Sequence, residues 1–379
     1  MDLDFFKELL SFDSTSGKER KVAEWLSETL PGMFPEANRP VLRVDEVGDG
    51  TLNLLLTWGS PRIVFCSHLD TVPPYIEPSS GALPPDAPRR SRPISPSDTV
   101  SAGPSDDGQD TSDSPSRPEI IRGRGSCDAK GQVFAMVTAC QRLAEEGKTG
   151  FGLLLLAGEE TGSWGAKAFA KTDFRAPYLV VGEPTDNCMV SASKGTKSFD
   201  LKFTGEAFHS GYPQYGVSAV DLFVNFVNKL RDKDFGLDPV LGETTWNIGL
   251  VHSDNPQNIL SPELTCRLYF RTTFVSDEAV CKWMAEAQGG RLAVTARRGD
   301  TPARYWTVEG LPSKSVAFGS DAPHLKNFTH KAICGPGSIT VAHRDDEHVL
   351  VAELEKAVEQ YLVLYSTAQG TKKAENVPE

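Results

Sequence analysis

Apolar positions along the N-terminal segment recur with helical spacing. Phe5, Phe6, Leu9 and Leu10 form one stripe and Val22, Trp25, Leu26 and Leu30 another, which predicts two amphipathic helices. The stretch SFDSTSGKER between them carries the small and polar residues of a turn. A different texture follows. TLNLLLTW, RIVFCSHLD, GFGLLLLAG, PYLVVGEP and, far downstream, HKAICGPGS are almost continuously apolar, as strands buried on both faces are. Helical patterns separate several of them, notably DAKGQVFAMVTACQRLAEEGK. Strands alternating with helices predict an α/β layer, a mixed and largely parallel sheet flanked by helices.

From Thr196 to about Asp300 the pattern changes again. KSFDLKFTGEA alternates like a half-exposed strand, GVSAVDLFVNFVNKLRD and SDEAVCKWMAEAQ read as helices, and TTWNIGLVHS and ELTCRLYFRTT as strands. This predicts an α+β domain over 196–299, inserted into a discontinuous first domain of residues 1–195 and 300–379. Residues 78–118 are a third kind of text. Pro and Ser dominate, aromatics are absent, and so little apolar surface cannot offset the entropy of ordering. A disordered surface loop is expected there.

Composition narrows the function. At 379 residues the chain is long for one core, and 39% hydrophobic with 24% charged residues is ordinary for a soluble protein. A formal net charge of -12 argues against nucleic acid or an anionic membrane as partner. No apolar run is long enough to span a bilayer, and the acidic start MDLDFFKELL does not read as a signal peptide. The seven cysteines lack CxxC spacing, so neither a disulfide framework nor a cysteine zinc site is expected. A reduced, cytoplasmic setting fits.

The candidate chemistry lies where the buried strands end. RIVFCSHLD closes on His68 and Asp70, and LLLLAGEETG turns at Gly158 into the adjacent Glu159 and Glu160. PYLVV leads into Gly182 and Glu183, and GPGSITVAHRDDEHV brings His343 and His348. Asp128 stands before the long helix, where it would equally serve as an N-cap. Any one of these could be a solvated loop residue. Together they follow the carboxyl ends of strands, where open α/β sheets place their sites. Two ionised carboxylates about 5 Å apart repel by roughly 3 kcal/mol at an effective dielectric near 20, so Glu159 and Glu160 either face water or share a cation. Histidines and carboxylates converging in this way are ligand chemistry for paired zinc-like ions.

SHLDTVP, GRGSCDAKG, AGEETG, VGEPT, FHSGYP and GPGSITVAHRDDEHV occur here in the order in which the M20 family of di-zinc amidohydrolases and peptidases carries such motifs. The resemblance spans nearly the whole chain outside 78–118. Within the family the chain looks most like the acetylornithine deacetylase and succinyl-diaminopimelate desuccinylase branch, partly because it has GEPT rather than an aspartate-containing version.

The resemblance implies a catalytic domain carrying an inserted, ferredoxin-like lid and dimerisation domain, a homodimer, and two Zn2+ per chain, with Co2+ as the other candidate. His68 and Glu183 would hold one ion, Glu160 and His343 the other, and Asp128 would bridge them. Asp70 would hold His68, and Glu159 would be the general base. His209 resembles the family histidine that reaches across a dimer to the oxyanion, and Asn258 and Arg271 match lid positions that hold a substrate carboxylate. The implied reaction is hydrolysis of an Nα-acylated amino acid, with N-acetylornithine leading. N-acetylcitrulline, N-succinylornithine, N-succinyl-diaminopimelate and a dipeptide or aminopeptidase substrate stay open. A zinc-binding protein without catalysis is disfavoured, because the base and all five ligands are present.

Overall fold

The computed structural model describes residues 1–48, 50–83 and 117–370. By contacts the chain divides into two units. One comprises Met1–Met189, Trp306–Pro312 and the chain from Ser320 onward; the other comprises Val190–Tyr305 and Ser313–Gly319. The short return of 313–319 to the second unit has a local cause: the strand Ser313–Val316 joins Met189–Ser193 in a small sheet.

The first unit is built on a six-stranded sheet in the order Val41–Glu46, Leu52–Trp58, Phe151–Leu156, Ile63–His68, Ala176–Val181, Phe328–Ile333. The last four run parallel to one another, and Leu52–Trp58 is antiparallel to both of its neighbours. The sheet is therefore mixed and largely parallel. Ile63–His68 and Phe151–Leu156 are buried at every position, which is why they lack alternation in sequence. The helix Lys130–Glu145 is buried along most of its length, and its Phe134 stacks on Phe6 of the helix Leu3–Ser11 with ring centroids 4.7 Å apart. That contact uses the first apolar stripe, and Val22 and Leu26 of the helix Arg20–Thr29 enter the same core. Asp2 starts the first helix by accepting the main-chain N–H groups of Asp4 and Phe5.

Parallel strands bring their carboxyl ends to one edge, and main-chain bonds hold those ends together. The Leu69 N–H donates to Leu156 O at 2.8 Å and the Gly182 N–H to Cys66 O at 2.7 Å. Of the segment 78–118, expected to be disordered, residues 84–116 lie outside the described residues. Its start is a correction: Ser79–Ala82 is a strand paired antiparallel with Glu119–Arg122. Main-chain hydrogen bonds hold that pair although the strand residues Ser79–Ala82 are exposed and mostly polar or small, so apolar patterning carried no trace of it.

The second unit has the order strand, helix, strand, strand, helix, strand: Gly195–Thr204, Ala219–Arg231, Thr245–His252, Glu263–Thr272, Asp277–Ala287 and Leu292–Ala296. Across the sheet the strands run Thr245–His252, Glu263–Thr272, Gly195–Thr204, Leu292–Ala296, all antiparallel. That is the ferredoxin-like arrangement. Phe199, Leu201 and Phe203 face Phe226, Leu230 and Met284 from the two helices in a core of its own. The strand Leu292–Ala296 escaped the sequence reading because no residue of it is fully buried.

Candidate functional site

Each candidate residue of the first unit sits just beyond a strand or at a loop that returns to the strand ends. His68 closes its strand; it is 1% exposed, and Asp70, two residues on, is fully buried. His68 Nδ1 lies 2.9 Å from the main-chain O of Asp70 and 3.5 Å from its carboxylate. The ring is thus held chiefly through the backbone of Asp70, and the Asp70 carboxylate has a second task. Its Oδ1 accepts the Glu159 N–H at 2.9 Å, and its Oδ2 accepts the Glu160 N–H at 3.2 Å and the Ser16 hydroxyl at 2.8 Å.

That carboxylate shapes the turn carrying the paired glutamates. Gly158 has φ +66°, a region open to glycine, and the Gly162 and Ser163 N–H groups fold back onto Glu159 O. In a strand the two side chains would point to opposite faces; in this turn they diverge within one site. Glu160 Oε1 meets His343 Nε2 at 2.9 Å. Asp128 stands between two histidines, its Oδ1 3.1 Å from His68 Nε2 and its Oδ2 3.3 Å from His343 Nε2. Ligand atoms of His68, Asp128 and Glu160 all lie within 4.8 Å of one another. His343 is half exposed and has φ 64°, an uncommon backbone state for a residue with a side chain. His348 stands apart in the strand His348–Leu350, its Nδ1 on Asp346 O.

The electrostatics are those of a site short of positive charge. Burial, and after it the neighbouring Glu159 and Asp128, push the Glu183 carboxyl well above its usual range. Burial also raises Glu159, with Asp321, Glu160 and Asp128 adding to it while His68 opposes. Burial works against protonation of His68, but hydrogen bonds to Asp128 and Asp70 outweigh it and hold that imidazole well above its usual value. Contacts to Asp128 and Glu160 lift His343 to about 10. Glu183 Oε1 is buried and has no hydrogen-bond partner among the described residues. A buried carboxylate oxygen without a donor is costly, and a cation removes that cost.

Two further residues were missed in sequence. Asp321 is 2% exposed; burial pushes it to about 6, and its Oδ1 has no hydrogen-bond partner among the described residues. It follows a Gly-Ser pair in a stretch that reads as an ordinary turn. Glu347, inside the HRDDEHV stretch, is 1% exposed, and its neighbours Asp345 and Asp346 disguise it as part of a solvated charge run.

The second unit divides its candidates. The Ser210 N–H donates to Asn258 O and the Leu260 N–H to Phe208 O, so the segments carrying exposed His209 and Asn258 lie side by side. The Gly211 N–H donates to His209 Nδ1 at 3.0 Å. In the neutral ring this leaves the proton on Nε2, the tautomer that presents a donor outward. Arg271 is elsewhere. It lies at the far end of the strand Glu263–Thr272, eight residues from Glu263, about 26 Å along a strand. Its guanidinium covers the Tyr269 ring at 5.0 Å.

One prediction follows from the charges. Carboxyls raised by folding hold protons that the unfolded chain releases above pH 4.5, so their contribution to stability falls as pH rises. Histidines raised above 6.5 stabilise below that pH and lose the effect on the way up. Both act in one direction between pH 5 and 8, whereas Asp70 and Asp128, which are lowered, matter only below the ordinary 3.8. After chelation the chain is therefore expected to unfold at a higher temperature near pH 5 than near pH 8. A midpoint that stays level or rises over that range would contradict this charge balance.

Residues 97–366 match the family described as Peptidase family M20/M25/M40. A protein of Aspergillus terreus named "Probable carboxypeptidase" is 30% identical over 404 residues, covering 97% of this chain and 86% of its own length. A probable carboxypeptidase of Aspergillus niger is also 30% identical, over 400 residues, with 97% and 89% covered. Among solved structures, a tripeptidase from Staphylococcus aureus superposes with a TM-score of 0.72 at 20% identity, covering 97% of each chain. The M20 family metallo-carboxypeptidase of Sulfolobus solfataricus gives 0.64 at 16% identity, covering 97% of this chain and 100% of its own. The last two likenesses speak to fold alone. The family match over most of the chain, with relatives of 30% identity along nearly its full length, shows that this chain belongs to peptidase family M20/M25/M40.

Proposed function

We propose that the chain is a metal-dependent hydrolase of the amide bond between an acyl group and the α-nitrogen of an amino acid with a free carboxylate. The observation that carries this is Asp128, with one carboxylate oxygen toward each of two histidines and Glu160 beside the second. The donors are nitrogen and oxygen atoms, and with Glu183 Oε1, unpartnered among the described residues, they suit Zn2+ or Co2+. His68 and Glu183 would hold one ion, His343 and Glu160 a second, and Asp128 both. Divalent ions bound there would supply Lewis acidity toward the amide carbonyl and make the attacking water more acidic.

The residues of the chain do the rest. Glu159, raised by burial and bonded to neither histidine in the described contacts, takes a proton from the attacking water. It returns that proton to the leaving amine as the C–N bond breaks, giving a carboxylate and an amino acid. His209 Nε2–H donates to the oxyanion, and Asn258 and Arg271 hold the substrate carboxylate, for which the guanidinium fork is suited. Arg271 lies far from Asn258 and His209 along the second unit, so one small substrate cannot meet all three from one copy. This supports a homodimer in which the second copy supplies His209 and Asn258.

N-acetylornithine, giving ornithine and acetate, is one substrate of this class. The carboxypeptidase names of the fungal relatives favour a second reading, a short peptide as the acyl part, which leaves the scissile bond unchanged. The seven cysteines are all unpaired, in keeping with a cytoplasmic setting. No helix of the described residues is long and apolar enough to cross a membrane. Elemental analysis is expected to find about two divalent ions per chain, and chelation to abolish hydrolysis of both acetylated amino acids and C-terminal peptide bonds. The preferred acyl group decides between the two substrate readings. Full turnover by metal-free protein would sink the proposal.

A further inference from the structure

We infer that Glu347 is a positioning residue that ties the Asp128 loop to the His343 segment and so sets the distance between these two candidate ligands. This rests on the two-ion reading above. Glu347 Oε1 accepts three main-chain N–H groups, from Gly125 at 3.0 Å, Cys127 at 3.0 Å and Asp128 at 3.1 Å. Its Oε2 accepts Arg124 Nη1 at 2.5 Å, and both residues are 1% exposed. The same Nη1 reaches Arg344 O at 3.2 Å, next to His343, and Arg124 Nε donates to Pro74 O at 3.0 Å.

The loop is wound around one carboxylate. Gly125 makes this winding feasible: it has φ +86°, and a Cβ there would stand 3.0 Å from Thr71 Cγ2 and 3.1 Å from Lys130 Cδ. Successive N–H groups aimed at a single anion form a concavity of the kind that binds free anions; here the chain fills it with its own glutamate. Asp128 therefore has its main chain fixed by Glu347 while its side chain faces His68 and His343. His343 lies four residues before Glu347 on an exposed loop. Cys127 Sγ on Ser338 O, and Gln132 Nε2 shared between Cys127 O and Pro336 O, join the two segments five or more residues before His343; on its C-terminal side the Asp128–His343 spacing of 3.3 Å depends on Glu347 and the Arg124 it holds. His68 is secured independently, by its strand and by Asp70. Loss of Glu347 should thus strike one ion site more than the other.

The test is a Co2+ titration of metal-free, full-length protein, read by visible absorption, with Zn2+ calorimetry in parallel, on the parent chain, Glu347→Gln and Glu347→Asp. The parent should bind two ions. Glu347→Gln should keep one at parental affinity and bind the second roughly 10- to 100-fold more weakly, the range seen when supports of metal ligands are removed. Glu347→Asp keeps the charge but is one methylene shorter, so it should rescue part of that loss and retain the fold. A parent that binds fewer than two ions overturns the two-ion reading itself. With two in the parent, parental affinity at both sites in Glu347→Gln overturns the role of Glu347, and so does an equal loss at both sites. Should Glu347→Gln fail to fold, Glu347→Asp decides by the same criteria.

Discussion

Glu159→Gln is expected to retain both divalent ions and to lose turnover by roughly 100- to 10,000-fold, the span attributed to a positioned proton-transfer group. Its neighbour should behave in the opposite way. Glu160→Gln neutralises the carboxylate whose Oε1 lies 2.9 Å from His343 Nε2 and leaves it one oxygen, so it should weaken one ion site, with activity recovering as free metal is raised. Adjacent residues of the same type separate in this manner because the turn after Gly158 is clamped by the Asp70 carboxylate through both glutamate N–H groups. The KM of Glu159→Gln should change little, since the base is not proposed to bind substrate. Metal content and steady-state kinetics of the two variants check this. If both hold two ions and turn over like the parent, the assignment of base and ligand falls.

His209→Ala is expected to cost roughly 100- to 1,000-fold in turnover, the usual loss for an oxyanion donor. The ion content should be unchanged, because His209 belongs to the other unit. A mixture then tests the homodimer. A Glu159→Gln chain has an intact His209 to lend, and a His209→Ala chain has an intact base and ligand set to receive it. Each variant alone should be nearly inactive. After subunit exchange the mixture should regain up to about a quarter of parental activity, given random pairing, half of the dimers mixed and one working site in each. Verified exchange with no recovery would mean that His209 acts within its own chain or not at all. A variant at Arg271, which stands at the other end of its strand, should instead raise KM for substrates with a free carboxylate.

The hydrophobic pattern alone determined most of the scaffold. Parallel strands buried on both faces are almost continuously apolar, and amphipathic helices repeat every three to four residues, so both leave a mark on the sequence. The candidate site was legible for the same reason: His68, Glu159 and Glu183 stand where continuous apolar runs stop. What left no such mark was decided by tertiary structure. The strand Ser79–Ala82 is exposed and held by main-chain hydrogen bonds, which are blind to side-chain type, and Leu292–Ala296 only partly buries Leu292 and Val294 against its unit's core. The Asp70 carboxylate proved to hold the glutamate turn more than the imidazole, a matter of ångströms in three dimensions. The separation of Arg271 from Asn258 needed the register of one strand. Asp321 and Glu347 looked like a turn residue and a member of a solvated acidic run. Only folding buries them and surrounds Glu347 with the N–H groups of residues more than two hundred positions away, because a carboxylate's task depends on which donors the fold brings to it.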